Sequence, residues 1–119
     1  MRKILKTAAA LAFTLGAVTV VNATPAQAAG SIQGCPSGAV CIYPGAGWNG
    51  GNPSHRFYSY GPHNLSNVYG QHRIFNNQTG GATMRTCTGY DGVGCEGYLH
   101  AGVHFDRDLT PINSITLQP

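Results

Sequence analysis

The chain has 119 residues with seventeen glycines, seven prolines and four cysteines, and a formal charge of +3 from seven Lys and Arg against four Asp and Glu. The excess charge is confined to the start, at Arg2, Lys3 and Lys6; beyond residue 28, Arg56, Arg73, Arg85 and Arg107 balance Asp91, Glu96, Asp106 and Asp108, and there is no lysine. A basic overall balance therefore gives no argument for nucleic acid or an anionic membrane as partner.

In chain order, the positive head is followed by the apolar stretch from Ala8 to Val21 and by Ala26-Gln27-Ala28, the order of a secretory signal peptide with an A-x-A cleavage pattern. The stretch is shorter than the roughly 20 residues of a spanning helix, so export without anchoring is expected. Residues 1–28 are read as the signal and 29–119 as one domain, too short for two. All but one of the glycines lie in that domain, a density that favours tight turns over long helices.

No segment after residue 30 sustains the i, i+3, i+4, i+7 apolar pattern of a helix. Short runs rich in β-branched and aromatic residues predict strands at Val40 to Tyr43, Arg56 to Tyr60, Arg73 to Asn76, Ala82 to Thr88, Gly97 to Leu99, Val103 to Phe105 and Ser114 to Leu117. Turn signals separate them: Pro44-Gly45, the 49–53 segment, Gly61-Pro62, Gly80-Gly81, Asp91-Gly92 and Thr110-Pro111. The expected fold is all-β, with seven to eight short antiparallel strands in a sandwich or small barrel. A weak repeat divides it. Cys41-Ile42-Tyr43, a glycine cluster and Ile74-Phe75-Asn76 are echoed by Cys87-Thr88-Gly89, a second glycine cluster and the 112–115 segment, suggesting two Greek-key units of roughly 40 residues.

Four cysteines in an exported chain read as disulfides, with three possible connectivities. Cys35 and Cys41 close seven residues and Cys87 and Cys95 close nine, each stretch rich in the turn-forming Gly or Pro, so two local bridges are expected. Chain entropy makes each worth about 2 to 3 kcal/mol. Zinc is the rival reading, but neither pair has C-x₂₋₄-C spacing.

Tyr43-x₄-Trp48-x-Gly50 is similar to the aromatic and glycine corner of βγ-crystallin Greek keys. The opening from Cys35 to Tyr43, with the later pair Cys87 and Cys95, resembles the secreted bacterial metalloproteinase-inhibitor family over essentially the whole mature chain. The resemblance implies a βγ-crystallin-like domain with two local disulfides. It further implies inhibition of an extracellular zinc metallopeptidase through the loop from Cys87 to Cys95, with Cys87-Thr88 as the reactive bond and Thr88, Gly89 and Tyr90 presented to the enzyme. A pre-ordered segment binds without a further ordering cost. The chain departs from that pattern in having Thr88 where a larger apolar side chain is preferred, and in a loop of seven residues with three glycines. A plain disulfide-stapled turn therefore stays open as the other reading.

No cofactor or metal is expected. The positions that a βγ-crystallin calcium segment would use are Leu109 and Thr110 in one half and Val68 and Tyr69 in the other, none of them suited to calcium. His100-x₃-His104 spans Gly102 and reads as two surface histidines. Asp106 and Asp108 read as a solvated strand edge, and no nucleophile can be placed beside a base, so an enzyme is not expected. Trp48, Tyr43, Tyr58 and Tyr60 are candidates for a sugar-stacking platform, but Tyr58 and Tyr60 share one strand face and Phe57 takes the other, so one of these faces must be core and the core reading is preferred to a platform. The remaining expectation is a monomer; its alternative to inhibition is an extracellular binding or killer-toxin-like role.

Overall fold

The computed structural model describes residues 30–119, so the export signal read in residues 1–28 lies outside the described residues. Ten strands run in chain order: β1 (Ser31–Ile32), β2 (Cys35–Pro36), β3 (Ala39–Pro44), β4 (His55–Phe57), β5 (Gly61–Asn64), β6 (Gln71–Asn77), β7 (Thr83–Cys87), β8 (Cys95–His100), β9 (His104–Asp108) and β10 (Ser114–Gln118). A 3₁₀ turn at Asn49–Gly51 is the one helical element among the described residues, and none of them forms a helix long and apolar enough to cross a membrane.

Two four-stranded antiparallel sheets carry the fold, in the orders β4-β3-β6-β9 and β5-β10-β7-β8, with β1 and β2 as a separate small hairpin. The orders share one logic. If β3 to β6 are strands one to four of the first half and β7 to β10 those of the second, each sheet reads two, one, four, and then strand three of the other half. Each half therefore places one strand in the other's sheet, so neither sheet is complete without both.

The alternation of side chains explains why β3 is apolar throughout. Val40 and Ile42 face the main core with Ile74, Met84, Leu99, Ile115 and Leu117, drawn from both sheets. Ala39, Cys41 and Tyr43 point the other way, into a second cluster with Cys35, Phe75 and Trp48. A strand covered on both faces has no position left for a polar side chain. Each large apolar side chain withdrawn from water in these clusters contributes about 1.5–3 kcal/mol. Tyr43 keeps its hydroxyl satisfied by donating to the Gln33 carbonyl at 2.8 Å, and burial pushes its phenol pKa up.

Asn76, fully buried at the end of β6, ties the two sheets together. Its Nδ2 donates to the carbonyls of Ala82, at 3.1 Å, and Leu99, at 2.8 Å. Its Oδ1 accepts from the Gln78 backbone N–H and Gln78 Nε2. Every hydrogen-bonding site of the amide is used.

Each of the seven expected strands overlaps an observed one, but the count of seven to eight is corrected to ten by β1, β2 and β5. Gly61-Pro62 reads as a turn from its residue types, yet it opens β5, which pairs with β10 at the rim of its sheet. Proline's missing N–H is tolerated on such an edge. The strand expected to reach Tyr60 stops at Phe57, which packs on the main core, while Tyr58 and Tyr60 are exposed.

Candidate functional site: the hairpin closed by Cys87 and Cys95

Both disulfides are local, Cys35 with Cys41 and Cys87 with Cys95. Two bridges fit an oxidising, extracellular setting. The second lies across a register position, for Cys87 at the end of β7 is the direct partner of Cys95 at the start of β8. The seven residues between them continue the hairpin: the Thr88 N–H donates to the Gly94 carbonyl at 3.1 Å and that of Gly89 to the Val93 carbonyl at 2.9 Å. At the tip, Asp91 and Gly92 have φ of 59° and 76°, the left-handed pair that a tight Asp-Gly hairpin turn requires.

Three distant side chains pin this hairpin to the body. Asn64 and Asp91 bond reciprocally: Asn64 Nδ2 donates to Asp91 Oδ1 at 3.0 Å, and the Asp91 N–H donates to Asn64 Oδ1 at 2.7 Å. Ser114 Oγ accepts from the Gly92 N–H at 3.0 Å and donates to the Gly89 carbonyl at 2.6 Å. Asn113 donates through Nδ2 to the Thr88 carbonyl at 2.7 Å and through its backbone N–H to the Cys87 carbonyl at 3.0 Å. Gly92 lies so close to the sheet that a Cβ there would press on Thr116 and Pro62.

With the Tyr90 carbonyl accepting from Val93, four consecutive carbonyls from Cys87 to Tyr90 are engaged within the protein. The Cys87 side chain is buried, whereas Thr88, Tyr90 and Val93 present exposed side chains. The hairpin is thus a fixed backbone displaying three outward side chains, and the carbonyls of Cys87, Thr88 and Gly89 are turned toward the fold. Glycine content alone would leave the loop loose; the side-chain clamps supply the order that composition lacks.

The other sequence candidates separate. Tyr43 is buried and the partly buried Trp48 packs edge-on against Tyr43 and Phe75, so the four rings share no platform; Tyr58 and Tyr60 are exposed. Asp106 and Asp108 lie on β9, an edge strand as expected, but Asp106 receives two hydrogen bonds from Arg73, at 2.8 and 3.0 Å. The hydrogen bond from Arg73 holds the Asp106 carboxyl below the usual carboxylate range, and hydrogen bonds from Thr110 do the same for Asp108. Both acids are charged anchors near neutral pH. His104 rests on the Trp48 ring, 4.7 Å between centroids. Burial lowers the pKa of His55.

Asn64, Asn113 and Ser114 were not singled out as site residues by sequence reasoning. The repeat placed 113 and 114 in a strand, but nothing in residue type or spacing connects them with a loop more than twenty positions away. Protein-family models, curated proteins and solved structures contain no match to this chain.

Proposed function

We propose that this is a secreted, monomeric βγ-crystallin-like protein of two Greek keys that inhibits an extracellular zinc metallopeptidase through the hairpin from Cys87 to Cys95. The strand orders support the fold reading: a Greek key has the spatial order three, two, one, four, and here each half keeps two, one, four while its third strand crosses to the other sheet.

The observation that carries the functional reading is the clamped hairpin, with its backbone fixed by one disulfide and by Asn64, Asn113 and Ser114. A peptidase meeting such a segment gains the contacts of Thr88, Tyr90 and Val93 without ordering a flexible chain. Turnover at Cys87-Thr88 is opposed because the Cys87 carbonyl, which a catalytic metal must polarise, already accepts from the Asn113 N–H. After any cleavage the disulfide holds the two new ends together.

The test is titration of a thermolysin-type enzyme with the exported, oxidised protein. Inhibition at micromolar concentration is expected, and Thr88→Leu, which enlarges an exposed apolar contact, is expected to tighten it about tenfold or more. Absence of inhibition at that concentration refutes the functional reading. Equal inhibition by Thr88→Leu and Thr88→Asp refutes Thr88 as the contact.

A further inference from the structure

A cleft of about 560 Å³ lies on the second sheet, bounded by Tyr60, Arg85, Gly92, Cys95, Tyr98 and Thr116, with further residues of β10 and the following Pro119 at its floor. Pro62, Thr116 and Arg85 are register partners across β5, β10 and β7, so they form one row on the outward face, opposite the buried Ile115 and Leu117. Tyr60 enters β5 at one side and Tyr98 sits on β8 at the other. Three strand spacings separate β5 from β8, about 14 Å. Both rings are more than half exposed, 58% for Tyr60 and 59% for Tyr98.

Between them stands Arg85, held with unusual care for a residue without an acid partner. Its Nε donates to the Gly97 carbonyl at 2.9 Å and its Nη2 to the Cys95 carbonyl at 3.0 Å, while the guanidinium lies 4.4 Å from the Tyr98 ring centroid. Arg73 and Arg107 pair with Asp106 and Glu96. Among the described residues Arg85 pairs with neither Asp nor Glu and its Nη1 takes part in no hydrogen bond; no Asp or Glu side chain lines the cleft, and Pro119, the last residue, lines it without its terminal carboxylate pairing with Arg85. The cleft therefore offers a pre-oriented positive group flanked by aromatic faces.

We infer that this cleft binds an acidic oligosaccharide, with Tyr60 and Tyr98 stacking on sugar rings and Arg85 taking a hexuronate carboxylate. A guanidinium already fixed by two carbonyls loses little further freedom when it accepts an anion. The floor decides between a glycan and a peptide. β10 is paired on both sides by β5 and β7, and β7 by β10 and β8, so the floor has no free strand edge for an extended peptide to join. A sugar needs none, since it binds through ring faces, hydroxyls and its carboxylate, for which Thr116, Gln118 and the tyrosine hydroxyls are suitable neighbours. The cleft borders the hairpin at Gly92 and Cys95 but does not include Thr88, and its test does not depend on a peptidase.

Calorimetric titration of the exported protein with an oligogalacturonide, a neutral malto-oligosaccharide and an oligoglutamate tests the inference. Binding of the oligogalacturonide alone is expected, weakening as salt rises. Arg85→Gln is expected to reduce it about tenfold or more. Tyr60→Ala removes an exposed ring and leaves the fold intact, so it decides the matter if Arg85→Gln disturbs β8; it too is expected to weaken binding. No binding of the oligogalacturonide, equal binding of the neutral sugar or the acidic peptide, or full affinity in the Tyr60→Ala variant overturns the assignment.

Discussion

Replacing Asn76 by Leu tests the claim that one buried amide locks the two sheets together. The side chains are similar in volume, so packing changes little, but the carbonyls of Ala82 and Leu99 lose a donor and the Gln78 backbone N–H loses its acceptor. Gln78 Nε2 loses one partner and keeps Thr83, at 3.1 Å. An orphaned buried polar group costs about 1–3 kcal/mol; with partial relaxation of four affected groups the loss is about 4 kcal/mol. For a domain of this size each kcal/mol lowers the melting temperature by about 4–8 °C, so a fall of about 20 °C is expected. Thermal unfolding of the oxidised protein, followed by the fluorescence of Trp48, its single tryptophan, measures this. Asn52→Leu is the control: that amide is exposed and bonds only to the neighbouring Asn49 and Gly50 carbonyls, so a fall below about 5 °C is expected. If Asn76→Leu melts within the same narrow range as the control, the amide is not the lock and the reasoning is wrong.

Two further perturbations follow from the same structure. Gly34 has φ of +75° and a Cβ there would overlap the Gly51 carbonyl oxygen, a backbone atom that cannot swing aside, so Gly34→Ala is expected to cost more than the roughly 1–2 kcal/mol of the left-handed conformation alone, read as a lowered urea midpoint. Acidification is expected to destabilise the fold in two stages. His55 has a folded pKa below its ordinary 6.5, so the unfolded chain binds the proton first and stability falls as pH drops through that value. Asp106 and Asp108 are held below 3.8, so the stability they contribute is present above that value and is lost as pH falls beneath it. Urea midpoints measured from pH 7 to pH 2 give both stages, and Asp106→Asn should flatten the lower one; an unchanged acid limb in that variant would falsify the role of the Arg73 pair.

Much of the architecture was legible in local residue choice. β3 announced itself through Val40 to Tyr43, whose unbroken apolar run reflects burial on both faces, and Asp91-Gly92 marked a turn through the backbone angles those residues tolerate. The cysteine pairs were legible because a short span rich in turn residues brings its ends together at little entropic cost. β5 was not, because Gly61 and Pro62 have the composition of a turn and become a strand only where β10 offers an edge that needs no proline N–H. Nor was the aromatic grouping, since period-two spacing says which residues share a face and not which face is covered: Tyr43 and Trp48 went inward while Tyr58 and Tyr60 stayed out.

By itself, then, the sequence determined an all-β chain with local bridges and glycine-rich turns, because those features depend on neighbours within a few positions. Tertiary structure decided what surrounds the candidate sites. Asn64, Asn113 and Ser114 reach the Cys87 to Cys95 hairpin across more than twenty positions of chain, and Arg85 meets Tyr60 and Tyr98 only once β5, β10, β7 and β8 lie side by side. Hydrogen bonds and ring contacts act over a few ångströms, and only the packing of the two sheets brings those groups within that distance.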